Sequence, residues 1–108
     1  MSHTLRVMTY NIHKGLSPLN RHLIIERLRE QLRQSGADVI FLQEVQGFHR
    51  RHIRRWPSYP QNQHHFLAAG HWHAVYGKNA TYRDGHHGNA LLTRWPVVSH
   101  SNHDISAF

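Results

Sequence analysis

The sequence contains no cysteine. Disulfides and thiolate metal sites are therefore excluded, and cysteine usage leaves the redox compartment open. Long hydrophobic runs are also missing: the longest strongly apolar stretch, Val39 to Leu42, falls far short of the roughly 20 residues that cross a bilayer as a helix. The N-terminal Met1-Ser-His-Thr-Leu-Arg-Val7 lacks a charged region followed by an apolar one, so no secretory signal is visible and a cytoplasmic location is expected. No internal repeat, linker or low-complexity tract stands out. Acidic residues are scarce, six against thirteen Lys and Arg, for a formal charge of +7. That balance favours polyanionic partners such as nucleic acid or anionic lipid head groups. The thirteen histidines would carry the charge from +7 to +20 if all were protonated, and their unperturbed pKa lies at about 6.5.

What is present is globular. The 108 residues suffice for one domain with one modest core. A hydrophobic content of 39% with 18% charged residues is not the composition of a disordered chain.

Leu5 to Tyr10 reads as a strand, with Leu5, Val7 and Thr9 on one face and Arg6, Met8 and Tyr10 on the other. Met8 and Tyr10 make the second face partly apolar, as in a strand covered on both sides. Gly15, Ser17 and Pro18 break the pattern. The spacing of Leu19, Leu23, Ile24, Leu28 and Leu32, with Ile25 widening the stripe, predicts a helix from Leu19 or Asn20 to Ser35, stopped by Gly36. Val39 to Leu42 then forms an unbroken apolar run suited to a buried parallel strand. Strand, helix and strand in this order make a βαβ unit with a right-handed crossover. From Gln46 to Pro60 the character changes to a basic, aromatic-punctuated segment that can be a short helix or an ordered loop. Gln61 to Ala69 suits one or two helical turns. Trp72 to Tyr76 and Asn89 to Arg94 read as strands about a turn at Arg83 to Gly88, and Val97 to Ser99 continues extended. The second half therefore looks like antiparallel hairpins.

The first strand delivers Asn11 and the second delivers Glu44. The C-terminal edges of parallel strands are where α/β proteins place ligands. A carboxylate beside an amide is a hard-oxygen pair suited to Mg²⁺, which takes one or two carboxylates and completes its shell with water and phosphate. The alternative is that Asn11 caps a turn and Glu44 pairs with one of the many arginines.

Three segments in order carry a resemblance: Thr9-Tyr-Asn-Ile-His-Lys-Gly15, Ala37-Asp-Val-Ile-Phe-Leu-Gln-Glu-Val45, and Gly88-Asn-Ala-Leu-Leu-Thr-Arg-Trp-Pro-Val97. Together they resemble the N-terminal half of the endonuclease/exonuclease/phosphatase superfamily. Its members include deoxyribonuclease I-like nucleases, abasic-site endonucleases, inositol polyphosphate phosphatases and sphingomyelinases. The resemblance implies an α/β fold in which residues 1–108 are a single partial domain. It would be part of a four-layer α/β sandwich, a βαβ start followed by antiparallel strands, with the C-terminal half missing. It implies Mg²⁺-dependent hydrolysis of phosphate esters, of the phosphodiesterase or nuclease type, with Mn²⁺ as a substitute ion. Glu44 matches the metal-binding glutamate, and Asn11 the asparagine that helps bind phosphate or metal-bound water. Asn89 matches a structural position in a central strand of the second sheet. Near the position of His13 the family often carries an acidic residue; here it is His followed by Lys14, and His13 is a candidate contact for substrate phosphate.

The later motifs of the resemblance, Asp-x-Asn and a C-terminal Asp-His pair that supplies the proton acceptor, are absent. Ser101-Asn-His-Asp104 has the reversed order and reads as ordinary strand and turn. The chain thus carries the metal half of a site without the general-base half, as a fragment of a longer protein would, and inactivity of the chain alone is one expectation. An uncovered sheet face would then promote self-association.

The basic segment His49-Arg-Arg-His-Ile-Arg-Arg-Trp56 starts just past Glu44. Arg50 and Arg51, with Arg54 and Arg55, are candidates for substrate phosphate, with Phe48 and Trp56 available for stacking. A solvated helix with Phe48, Ile53 and Trp56 turned inward is the alternative. A different class of function follows from the same residues: a non-catalytic basic module that binds nucleic acid or anionic lipid. Among the histidines, His71 and His73 are two apart on a predicted strand, whereas His64-His65 and His86-His87 are adjacent pairs. Without cysteine or a His-Glu-x-x-His motif they do not make a zinc signature. His86 and His87, in a predicted loop, are placed to contact phosphate or solvent.

Overall fold

A computed structural model describes residues 4–15, 24–49, 62–82 and 85–102. Strand β1 (Val7–Asn11) leads into a single 3-10 turn (His13–Gly15), and helix α1 (Ile25–Gln34) precedes strand β2 (Val39–His49). A short helix α2 (Gln63–Ala68) and the strands β3 (His73–Tyr82) and β4 (Gly85–Thr93) follow. The four strands form one mixed sheet in the order β1-β2-β4-β3. β1 and β2 run parallel, from Val7 opposite Val39 to Asn11 opposite Gln43. β4 is antiparallel to both its neighbours. The βαβ expectation therefore holds. The strand carrying Asn89, expected in a second sheet, instead lies in this first one, between β2 and β3.

Helix α1 buries Ile25, Leu28 and Leu32, the i, i+3, i+7 stripe of an amphipathic helix. It ends as a helix with a left-handed residue just beyond it should: the Ser35 N–H reaches the Gln31 and Leu32 carbonyls, and Gly36 takes φ +71. Its start differs from expectation. Ile24 has φ −119 and stands outside the helix, because its N–H is tied to the Gly15 carbonyl at 2.8 Å. That bond fixes the entry and makes Ile25 a core residue at 1% exposure. Leu19 and Leu23 fall outside the described residues.

Ile40, Leu42, Val45, Ala90 and Leu92 bury one sheet face against α1, α2, Ile12 and Trp72. The opposite face is open. Phe41 is 49% exposed and Val7 57%, so β1 and β2 are not covered on both sides as their apolar runs suggested. The strand pattern at the far end was also misjudged. Gln46 to His49 continue β2, because Gly85 to His87 pair with them. The expected turn at Arg83–Gly88 is correspondingly shorter, with Gly88 paired inside the sheet. Residues 96–102 join no ladder; Asn102 crosses to β3, its Nδ2 donating to the Lys78 carbonyl at 2.9 Å.

Candidate active site

Asn11 ends β1, and its strand neighbour is Gln43, immediately before Glu44. Opposite β4 the register slips there: Leu42 pairs with Ala90 and Val45 with Gly88, so β2 carries one residue more than its partner. This β-bulge falls at Gln43–Glu44, across from Asn89. Bulges re-aim side chains and often adjoin active sites. Glu44 takes φ +53, a left-handed conformation that costs a β-carbon-bearing residue energy.

The turn after β1 is shaped to meet it. The Ile12 N–H donates to the Gln43 carbonyl at 3.0 Å. Asn11 Oδ1 accepts the His13 N–H at 2.9 Å, and His13 itself takes φ +49. The result sets His13 Nδ1 3.3 Å from Glu44 Oε2, with both side chains open to solvent. The local alternative for Asn11 and Glu44 is thus seen in part. Asn11 does cap a turn, and Glu44 does pair locally, with His13 rather than with an arginine. The two residues and His13 nevertheless form one cluster at adjacent parallel strand ends.

Among the described residues no three Asp, Glu, His or Cys side chains are arranged to hold a metal ion. The donor set on offer for a divalent ion is one carboxylate, from Glu44, with the amide oxygen of Asn11 beside it. Both are hard oxygens, and Mg²⁺ needs no more than one or two carboxylates from the protein. The residues present therefore fit such an ion.

Other expected site residues fare differently. Arg50 and Arg51, with Arg54, Arg55 and Trp56, lie outside the described residues, and so does Ser101-Asn-His-Asp104 beyond Asn102. His86 and His87 belong to β4 and not to a loop. His73 opens β3, whereas His71 precedes it in a turn, so the two do not share a strand face. Asn89 is exposed beside the bulge.

Sequence reading missed the polar layer beneath the site. Gln46 and Gln63 are both fully buried, and His64 is 6% exposed. Gln63 Oε1 accepts the Gln46 N–H at 2.8 Å, and Gln46 Nε2 donates to the His86 carbonyl. The His64 ring stacks on Tyr76 with centroids 4.8 Å apart. The Tyr76 hydroxyl meets His86 Nδ1 at 3.0 Å. Burial pushes His64 down to about 4, helped by the nearby charges of His65 and His86. Burial also lowers His86, with Lys78 and His87 adding to the effect. The available signal was glycine. A β-carbon on Gly47 would run into the His86 imidazole, so that ring occupies the space that a glycine leaves open.

A βαβ unit opening a mixed sheet, with an amide and a carboxylate at its parallel strand ends, is a phosphoesterase-like arrangement, and the sequence comparison bears the class out. The family model described as Endonuclease/Exonuclease/phosphatase family matches residues 8–108, and the chain belongs to that family. Members of the family are generally metal-dependent. Among individual proteins, the chain is 43% identical over 105 residues to the uncharacterized protein YbhP of Escherichia coli (strain K12) and to that of Shigella flexneri. The match covers 95% of this chain and 42% of those relatives, so the chain spans about two-fifths of their length. Among solved structures, the endonuclease/exonuclease/phosphatase from Beutenbergia cavernae superposes with a TM-score of 0.66 at 25% identity, over 89% of this chain and 27% of that one.

Proposed function

We propose that Asn11, His13 and Glu44 form the cation- and phosphate-binding half of a Mg²⁺-dependent phosphodiesterase or nuclease. The observation that carries this reading is the cluster itself: a carboxylate on a bulge and an amide at the next parallel strand end, bridged by His13. Glu44 would hold Mg²⁺, or Mn²⁺ in its place, with Asn11 beside it. The bound ion supplies neutralisation of the charge that builds on phosphate during attack by water. Asn11 Oδ1 accepts the His13 N–H and keeps a second lone pair toward the ion, and its amide nitrogen is the group that would donate to a phosphate oxygen. Nδ1 of His13 faces Glu44, which leaves Nε2 as its contact for substrate.

No Asp-x-Asn or Asp-His pair occurs in these 108 residues. We therefore assign proton transfer to sequence outside them, and read the sheet as one half of a four-layer sandwich. The test is phosphodiester cleavage by the protein expressed from its natural gene. Glu44→Gln should remove the Mg²⁺-dependent rate, at a cost of about 100-fold or more, in keeping with the several kcal/mol a metal contributes. Undiminished Mg²⁺-dependent cleavage in that variant would refute the reading. Nucleic-acid binding that ignores Glu44 yet collapses with salt would favour the basic-module alternative.

A further inference from the structure

Helix α2 touches the candidate site through one side chain that packing alone does not account for. Gln63 is fully buried, on a helix whose other deep positions are His64, Leu67 and Ala68. An amide in such a place costs free energy unless its partners are in position. Its Oε1 accepts the N–H of Gln46, two residues past Glu44. Its Nε2 lies against the 3-10 turn, where a β-carbon on Gly15 would stand 2.6 Å away. One amide thus touches both segments that bear the site: the turn that holds His13 and the strand that leaves the Glu44 bulge. The attachment is reinforced on either side. The Asn62 N–H donates to the Gly47 carbonyl, and Gln46 sends its own amide to the His86 carbonyl.

A bulge removes ladder bonds, so the strand beyond Glu44 is held by β4 less firmly than a regular strand would be. Gln63 supplies the missing anchor from the helix side. We propose that Gln63 is a positioning residue that sets the distance between His13 and Glu44. The part concerning cation binding rests on the function proposed above; the geometric part does not.

The experiment uses the protein expressed from its natural gene, with Gln63→Met as an apolar replacement of similar length and Gln63→Asn as one that keeps the amide but falls a methylene short. Leu67→Ala, on the same helix and fully buried, is the control for simple loss of packing. Two quantities are read: the nuclear magnetic resonance positions of the Glu44 amide and the His13 ring, and the Mg²⁺ concentration that half-activates phosphodiester cleavage. Both Gln63 variants should move the two resonances and raise the Mg²⁺ midpoint about 10- to 100-fold, the range for residues that orient metal ligands. Leu67→Ala should lower stability without moving either. The proposal is overturned if the resonances stay in place in both Gln63 variants, or if Leu67→Ala moves them as far. It is overturned equally if neither Gln63 variant folds while Leu67→Ala does, since Gln63 would then serve the fold and not the site. Resonances that move in the Gln63 variants, alongside cleavage indifferent to Glu44→Gln, would uphold the positioning role and reject the proposed function.

Discussion

Glu44 is held where a glutamate is uncomfortable. Its left-handed backbone costs on the order of 1 kcal/mol or more for a residue of this kind, a strain typically found at functional positions. Its pairing with His13 returns little, because both side chains are largely exposed and solvent-exposed ion pairs contribute about 0–1 kcal/mol. Asparagine tolerates the left-handed region far better. Glu44→Asn is therefore expected to raise unfolding stability by roughly 0.5–1 kcal/mol, while removing the carboxylate that the proposed chemistry needs. Chemical denaturation of the two proteins decides it. A variant clearly less stable than the parent would mean that the bulge relieves the strain or that the pair with His13 is worth more than its exposure implies. The placement of Asn11 and Glu44 at neighbouring strand ends was legible because each ends an apolar run, and a run's end is visible in one dimension. The pairing of Glu44 with His13 was not, because it depends on two positive φ angles at residues whose types do not announce them.

Elements with a strong period were legible, and elements with a broken one were not. The α1 stripe and the Val39–Leu42 run show their spacing directly. The rest of β2 hides behind Gln46 and Gly47, which read as the start of a loop. They are strand because Gly85 to His87 pair with Gln46 to His49 across the ladder, a property of the partner strand. The six-residue helix α2 was expected from its neighbourhood, yet its attachment to the sheet was invisible, because it runs through polar residues. His64 on α2 stacks on Tyr76 of β3, and Tyr76 meets His86 of β4. The charged and titratable groups around this contact are His65, His86, His87 and Lys78. A proton on His64 would be unwelcome there, and its Nδ1 is buried with no partner among the described residues. The folded pKa of about 4 lies below the unfolded value of about 6.5. The unfolded chain therefore takes up a proton first as pH falls. Above pH 6.5 the group costs nothing. Between 6.5 and 4 it should remove up to roughly 3 kcal/mol of stability, with no further loss below. His86 is shifted the same way and adds to the slope. In urea titrations, His64→Gln should flatten the stability curve over that window; an unchanged slope would place the acid sensitivity elsewhere.

Across the whole molecule, one sheet face is packed and the other is not. Helices and Trp72 bury the inner face, whereas Phe41, Val7 and Leu5 stand about half exposed or more. Leu91 and Val75, paired in the ladder beside Phe41, extend the same apolar surface. Residues 100–102 reach over only part of it, forming with Phe41, Val75 and Leu91 the rim of a cavity of about 250 Å³. Apolar patches of this kind invite a partner surface. In the family's four-layer arrangement proposed above, a second sheet would cover it. The 108-residue chain prepared by itself is expected to cover it with a second copy. The formal charge of +7 on each copy opposes that contact, and salt screens such repulsion. Self-association should accordingly strengthen as salt rises, the opposite of the trend for binding to a polyanion, where salt weakens the complex. Sedimentation equilibrium across a salt series separates the two. Phe41→Lys, which sets a charge at the centre of the open face, should return the chain toward the monomer. Trp95→Lys, which changes an equally exposed ring outside the ladder, should leave association nearly unchanged. A chain that stays monomeric at every concentration and salt level would show that the open face is less adhesive than its composition implies.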